Sequence, residues 1–326
     1  MKTVAVIGAG LSGLTVASQL SHYFDITVFD KSRGVSGRMS TRTALPYRFD
    51  HGAQYFKVRE PQFARFIADA IEQDLVAEWH ARVVDLSAEG IQDVTIDQPW
   101  YVAKPTMTAL NKSLAEGLSV QLNQRIESVK YQDSIWSLRN EAGEHVGDYD
   151  FLISAIPLPQ LEQLLPEIVG DDDELKNVKM SGCFSLMIGC SEAQLPDFDF
   201  ARVTSSPVGI ISQNSAKPGR DEAPSLLVQS TNEWAEQMLE MPLAEVEQHL
   251  TRELSSLMGI NYQSVEYRTL HRWRYAFVNQ ALGRPFYRHG ILPFAACGDW
   301  CMGARIESAY MSGFDLATEL LKESIS

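Results

Sequence analysis

The chain has 326 residues, enough for about two domains and for a core that encloses a whole cofactor. With 45% hydrophobic and 21% charged residues it has the composition of an ordinary globular protein, which excludes an intrinsically disordered chain. A formal net charge of -14 without any lysine or arginine cluster argues against a nucleic-acid partner, which so acidic a surface would repel.

Residues 2–7 are rich in Val and Ile and read as a buried parallel strand, residues 11–23 carry a helical pattern, and residues 25–30, "DITVFD", read as a second strand. Together they make a βαβ unit. Gly8 permits the tight turn, Gly10 lets backbone N–H groups approach a pyrophosphate, Leu11 opens the helix, and Gly13 lets that helix pack close to the strand. Asp30 closes the second strand 17 residues after Gly13, where an acid binds the ribose hydroxyls of an adenosine, and Lys31 follows it. Lys2 ahead of an apolar run is faintly like a secretion signal, but the glycines suit a strand and turn better and residues 22–25 offer no cleavage site.

The βαβ unit alone does not separate NAD from FAD. Residues 30–42, "DKSRGVSGRMSTR", add a second glycine turn in which Arg38 follows Gly37, suited to setting a guanidinium against the pyrophosphate; a solvated basic loop is the other reading. In "FDHGAQYF", residues 49–56, a strand-like aromatic pattern is interrupted at Gly52-Ala53, a step that lets the backbone approach a flat ligand. Residues 120–144 read as strands joined by a turn, and "FLISAIPLPQL" as a strand ending at Pro157. "CFSLMIGC" and "PSLLVQST" alternate like sheet strands. Residues 231–259 read as helical, with Met238, Leu239, Met241 and Leu243 in the core. The chain then reaches "FAACGDWCMGARIESAYMSG", residues 294–313, a second strand, acidic turn and helix. The four cysteines are too few and too irregular for a disulfide framework, which points to a reducing cytoplasm. Cys297 and Cys301, without a nearby histidine, suit packing better than a metal or redox pair, so no metal is expected. No stretch reaches the roughly 18 apolar residues of a membrane span.

Taken together, these motifs resemble the flavin-containing amine oxidase superfamily, with its p-hydroxybenzoate hydroxylase-like FAD fold, and within it the bacterial renalases. The nearer resemblance rests on "DKSRGVSGRMSTR", "DHGAQYF", "WYVAKPTM" at residues 100–107, "HRWRYA" at 271–276 and "CGDWCMGARIESAYMSG" at 297–313, so it spans the chain. It implies an α/β protein with a Rossmann-like FAD-binding domain of residues 1–76, 101–157 and 283–326. The discontinuous mixed-sheet substrate domain would take residues 77–100 and 158–282. FAD, expected to be non-covalent, is longer than one Rossmann cradle, which accounts for the second turn. Asp299 would bind its ribityl and phosphate region, and the next helix would offer the N–H of Ile306 to the flavin, where a helix N-terminus stabilises the negative charge of the reduced ring. Ala53 and Gln54 would lie beside the flavin, and Ile126 would make the adenine-side backbone contact.

The same resemblance implies oxidation of 2- and 6-dihydro isomers of NAD(P)H to NAD(P)+ by hydride transfer to flavin N5, with O2 reduced to H2O2. Such a donor needs positioning more than a strong base. Substrate contacts would come from Gln54, Tyr55, Phe56, Trp100 and Arg305, with His51, Trp273, Tyr275, Arg272 and Arg274 as further candidates that have equally good structural readings. Three alternatives stay open: a true amine oxidase, for which no lysine stands out beside the flavin; an FAD-loaded binding or sensor protein; and, least of all, an NAD-dependent dehydrogenase. One departure is that Ser36-Gly37 stands where the family often has two glycines, a change expected to cost little if Ser36 keeps an ordinary backbone conformation.

Overall fold

The Val and Ile run of β1 (Thr3–Ile7) is buried on both faces, as a central strand of a helix-covered sheet requires. Its parallel neighbours are β2 (Asp25–Phe29) and the strand Phe151–Ser154. The computed structural model describes residues 1–170 and 172–325. It extends this core to six strands in the order Tyr287–Arg288, Phe294–Ala296, Phe151–Ser154, β1, β2, Ser119–Gln121, all parallel except the first pair. The turns after β1 and after Phe294–Ala296 therefore leave the sheet at the same carboxyl edge. Two helices lead away from that edge, α1 (Leu11–Leu20) and, beyond the short helix Asp299–Met302, the C-terminal helix Ile306–Ile325. They pack side by side, so closely that a Cβ on Gly313 would lie 2.4 Å from the carbonyl oxygen of Ser12.

A second sheet has seven strands in the order Tyr267–Gln280, Lys179–Gly189, Ser225–Ser230, Val208–Gln213, Phe200–Val203, Val83–Ser87, Gly90–Val94. Every pairing is antiparallel except Phe200–Val203 with Val83–Ser87. Alternation gives the sheet two different faces. Phe184, Leu186, Ile188, Leu226 and Val228 point to one side and pack with Ala235, Val246, Leu250 and Leu254 of two helices. Met187 and Leu227 point to the other side and pack on Tyr47 and Phe49. These aromatics belong to the ribbon of β3 (Thr41–Ala44) and β4 (Tyr47–Asp50), so this sheet stands directly over the segment that follows the second glycine turn. A three-stranded antiparallel sheet, Ile126–Gln132, Ile135–Asn140 and His145–Tyr149, turns at Asp133 and Ser134, both at positive φ.

Residues 231–259 are not one helix. Asn232–Met238 and Leu243–Met258 are separate, because Pro242 has no N–H to continue the first and instead precedes the second. Met241 and Leu243 lie at this break, 37% and 44% exposed, and Met238 and Leu239 are half-buried, so the four do not form the core expected of them. Among the described residues no helix is long and apolar enough to cross a membrane.

Candidate active site

The three glycines after β1 divide their work. A Cβ on Gly13 would lie 1.9 Å from the carbonyl oxygen of Gly8, and one on Gly8, at φ +109°, would lie 2.9 Å from that of Ala155, so both are demanded by packing. Gly10 has an ordinary extended conformation, and a Cβ there would meet nothing within 4 Å. Space for a ligand therefore opens at the second glycine, where a diphosphate needs it, while Leu11 is buried behind the turn. Asp30 accepts the Ala9 N–H at 2.8 Å and the Ser32 N–H at 2.7 Å, one per carboxylate oxygen, so it ties the turn together before any ribose is considered. Backbone bonds from Asn123 to Ser32 and from Gln124 to Asp30 bring the segment before Ile126 alongside it. Ile126 itself is buried and pairs with Asn140, and Lys31 is exposed near Arg125.

The second glycine turn folds back on the first through a bond from the Ser36 N–H to the Ala9 carbonyl at 2.9 Å. Ser36 has φ +112°, a conformation suited to glycine, so the ordinary backbone on which a small cost depended is not the one it adopts. Its hydroxyl accepts a bond from Asn111 Nδ2 at 3.1 Å, which offsets part of the strain. Arg38 forks onto Asp299, with Nη1 to Oδ2 at 2.8 Å and Nη2 to Oδ1 at 2.5 Å, and Nη1 also reaches the Ala276 carbonyl at 3.2 Å. One guanidinium thus joins the second glycine turn to the Asp299 turn and to the long strand Tyr267–Gln280. The Gly52-Ala53 step serves the same linkage. A Cβ on Gly52 would lie 1.9 Å from the Arg38 carbonyl, and the Ala53 N–H donates to that carbonyl at 2.9 Å. The close approach that Gly52 itself makes is to the Arg38 backbone.

Three of the expected substrate contacts are occupied by the protein itself. Gln54 is buried, its Nε2 donating to the carbonyls of Asp50 and Gly52 at 2.6 and 2.8 Å and its Oε1 accepting from Lys217 Nζ at 2.9 Å, so its amide shapes the loop. Phe56 is a core residue, bridged to Tyr101 and packed on Phe63. Trp100 is 5% exposed, stacked flat on Tyr55 at 3.6 Å and edge-on to Phe200, which leaves only half-buried Tyr55 at the margin of that cluster. Arg305 is exposed just ahead of Ile306, which heads the C-terminal helix.

The long strand Tyr267–Gln280 sorts its side chains by parity. Arg272 and Arg274 point away from the glycine turns, one lying over the Phe184 ring and bonded to the Met241 carbonyl, the other paired with Glu240, so they are not placed to meet substrate phosphates. His271 and Trp273 point the opposite way and meet His51. Ring centroids are 4.9 Å apart for His51 and His271, 5.2 Å for His51 and Trp273, and 4.3 Å for His271 and Trp273, and Trp273 Nε1 donates to the His51 carbonyl at 2.8 Å. Burial pushes both imidazoles down to about 4, helped at His51 by His271 and Arg42 and at His271 by Arg42, so the shelf is neutral at neutral pH. Tyr275 is half-buried and lies in the stretch where the strand's pairing is irregular.

Several of these residues escaped the sequence reading. His271 and Arg42 were hidden because a strand's facing depends on register, although the odd-numbered spacing of His271 and Trp273 was a usable signal. The larger omission is a buried ionic cluster below the ribbon. Asp50 accepts from Thr41 Oγ1 at 2.7 Å, from the Met107 N–H at 3.0 Å, from Arg220 Nε and Nη2 at 3.0 and 2.7 Å, and from Lys217 Nζ at 3.4 Å. Burial would push its carboxyl up, but Lys217 and Arg220 with these bonds hold it at about 2. Burial pushes Lys217 down to about 8 against the pull of Asp50. "KPGR" looks like a solvated turn, and nothing local shows that residues more than 160 positions earlier enclose it.

Among the described residues no group of three or more His, Cys, Asp or Glu side chains is placed to hold a metal, and all four cysteines are free and buried. What remains is the turn after β1 and the Asp299 turn at one sheet edge, linked through the Ser36 and Arg38 contacts of the second glycine turn, with open space at Gly10, Gly34 and Gly303, and a neutral aromatic cluster at His51, next to the Gly52 contact with Arg38. That arrangement fits a long dinucleotide carrying a flat ring. Comparison with known proteins agrees with it. The family model for flavin containing amine oxidoreductase matches residues 95–321, and that for an NAD(P)-binding Rossmann-like domain matches residues 6–70. Renalase of Mus musculus is 25% identical over 324 residues, covering 91% of this chain and 92% of renalase. Among solved structures, a candidate protoporphyrinogen oxidase from an Exiguobacterium species superposes with a TM-score of 0.79 at 12% identity over 99% of both chains. Putrescine oxidase bound to putrescine gives 0.71 at 13% identity over 98% of this chain and 99% of that one. At such identities these two likenesses show the fold.

Proposed function

The chain belongs to the flavin containing amine oxidoreductase family, with FAD as its cofactor, and on that premise we propose that it is a renalase-type oxidase. Its donors are the 2- and 6-dihydro isomers of NAD(P)H, which leave as NAD(P)+ while O2 becomes H2O2. We place the reaction in the cytoplasm, with residues 1–76, 101–157 and 283–326 as the FAD domain and residues 77–100 and 158–282 as the substrate domain. When bound, FAD supplies a hydride acceptor at N5 and passes the electrons to O2.

The residues we assign to it are those expected from the turn motifs and the family resemblance. Gly8, Gly10, Leu11 and Gly13 would form the turn that receives the diphosphate, Asp30, Lys31 and Ile126 would lie at the adenosine end, Arg38 and Asp299 would hold the middle, and Ala53, Gln54 and Ile306 would lie near the ring, Gln54 by its backbone because its amide is held by Asp50, Gly52 and Lys217. The observation that carries the substrate reading is the cluster of His51, His271 and Trp273, in which His51 stacks on Trp273 and His271 stands edge-on to both, uncharged at neutral pH. An aromatic cluster offers faces and edges against which a dihydropyridine ring can be oriented, and neutral imidazoles suit a donor whose own ring nitrogen expels the hydride, so these residues position and exclude water rather than move protons. The lysine of an amine oxidase has no counterpart in Lys217, whose side chain is fully buried against Asp50, Gln54 and Asn214.

The test is anaerobic mixing of the FAD-loaded protein with the 2- and 6-dihydro isomers of NAD and NADP, with ordinary NADH and simple amines as controls. The expected result is rapid bleaching by an isomer with an equal amount of NAD(P)+ formed. Bleaching by amines instead would make it an amine oxidase, and no bleaching by any of them an FAD-loaded binding or sensor protein.

A further inference from the structure

Arg42 stands on the shelf side of the β3–β4 ribbon. In this antiparallel ladder Thr41 lies opposite Asp50 and Arg42 opposite Phe49, and opposite residues share a face. The bond from Thr41 Oγ1 to Asp50 Oδ1 marks one face, the one that meets Lys217 and Arg220. The other face carries Arg42, Phe49 and His51, and it looks toward the long strand, where Phe49 stacks on Tyr267 at 5.6 Å and His51 meets His271 and Trp273. The Arg42 side chain is half-buried there and, among the described residues, has no hydrogen-bond or ion-pair partner, although its backbone pairs with Phe49.

The nearby carboxylates are already committed. Asp50 points to the opposite face, Asp299 is held by Arg38, and Glu266 takes a bond from the Tyr47 hydroxyl. In a chain with a net charge of -14, an unpaired guanidinium beside a neutral aromatic shelf is a local positive site with nothing of the protein's own to neutralise it. A planar fork with five donors matches phosphate oxygens, whereas it repels an ammonium group.

We propose that Arg42 binds a phosphate of the substrate, so that the shelf takes the nicotinamide ring while Arg42 reads the phosphorylated ribose attached to it. This rests on the renalase-type reading of the same site and adds the group by which a nucleotide is told from an uncharged riboside or a cationic amine.

The experiment crosses two protein variants with two substrate forms. Wild type, Arg42→Met and Arg42→Lys are prepared with FAD, their FAD content is measured, and each is titrated calorimetrically with NAD+, nicotinamide mononucleotide and nicotinamide riboside. The dihydro isomers of the same three compounds are used for anaerobic bleaching. Wild type is expected to bind the mononucleotide about 10- to 100-fold more tightly than the riboside, a difference that one charge-assisted fork supplies. Arg42→Met should abolish that difference by weakening the mononucleotide alone, Arg42→Lys should retain part of it, and FAD content should not change in either. Equal weakening of both compounds in Arg42→Met, or no phosphate preference in wild type, would overturn the proposal. Loss of FAD from Arg42→Met would also overturn it, by giving Arg42 to the cofactor's diphosphate. If wild type binds these ligands with the expected preference but oxidises none of the dihydro isomers, the oxidase reading fails while the assignment of Arg42 stands.

Discussion

Asp50 is the one carboxylate between two cations, and all three side chains are at most 2% exposed. Asp50→Asn keeps the shape and removes the charge, leaving Lys217 and Arg220 buried without compensation, a change that costs about 3–5 kcal/mol. The pKa points the same way. Holding the carboxyl at about 2 instead of 3.8 is worth about 2 kcal/mol at neutral pH, a stabilisation complete above pH 4 and lost as pH falls through 2. Lys217→Met should behave differently. Burial holds that amine at about 8 against an ordinary 10.5, so its charged form is disfavoured by about 3 kcal/mol in the folded protein. Methionine removes this cost and leaves the Arg220 fork on Asp50 intact; the lost bonds to Gln54 and Asn214 cost about the same, for a net change within about 1 kcal/mol. Urea unfolding followed by tryptophan fluorescence compares the three proteins directly. An Asp50→Asn protein within 1 kcal/mol of wild type, or a Lys217→Met protein as damaged as it, would refute the view that charge balance governs this cluster.

Gly10→Ala should fold with wild-type stability, since its Cβ meets no protein atom within 4 Å, yet lose FAD affinity by more than about 100-fold; Gly13→Ala, with a 1.9 Å clash, should lose stability as well. Denaturation midpoints of the apoproteins and FAD titrations separate the two effects. Ser36→Gly should gain about 1 kcal/mol by relieving its positive φ, net of the bond to Asn111, while Ser36→Ala should be the least stable of the three, and a different order in thermal unfolding would contradict the strain argument. His51 and His271 have folded pKa values near 4 against 6.5 unfolded, so they contribute stability that is complete above pH 6.5 and lost toward pH 4, on the order of 3 kcal/mol between them; His271→Phe should flatten that slope in unfolding at pH 7 and pH 5. Burial raises the Cys297 thiol to about 12 and Cys301 well above its ordinary value, so neither serves as a flavin nucleophile, and acid precipitation should release all the yellow colour from the protein.

Much of the cofactor side was legible because it depends on local backbone chemistry. Gly8, Gly10 and Gly13 declare a tight turn, an open approach and a close helix packing wherever a strand precedes them and a helix follows. The residues around Asp299 repeat the pattern at the far end of the chain. Their meeting at one sheet edge follows from parallel strands, and parallel strands follow from unbroken apolar runs. Ser36 shows the limit of this reading, since a serine letter does not reveal the positive φ that neighbouring segments impose on it.

The substrate side was another matter. Gln54, Phe56 and Trp100 lie in the right stretch of chain, but which way each side chain turns depends on what is packed against it. Lys217, the Asp50–Tyr55 loop and the ribbon to Tyr101 take those side chains into the protein instead. Arg272 and Trp273 are adjacent letters with opposite fates because a strand has a period of two and only the sheet's register says which parity faces His51. The sequence by itself determined the family of turns and the βαβ frame, because each is encoded within a few consecutive residues, and it pointed to the kind of cofactor through the recurrence of such motifs along the whole chain. Only the tertiary structure decided that Asp50 would be caged with Lys217 and Arg220, that His51 would meet His271 and Trp273, and that Arg42 would be left unpaired beside them. Those outcomes are set by strand pairing and burial between segments more than 150 residues apart, where no local pattern of letters carries the information.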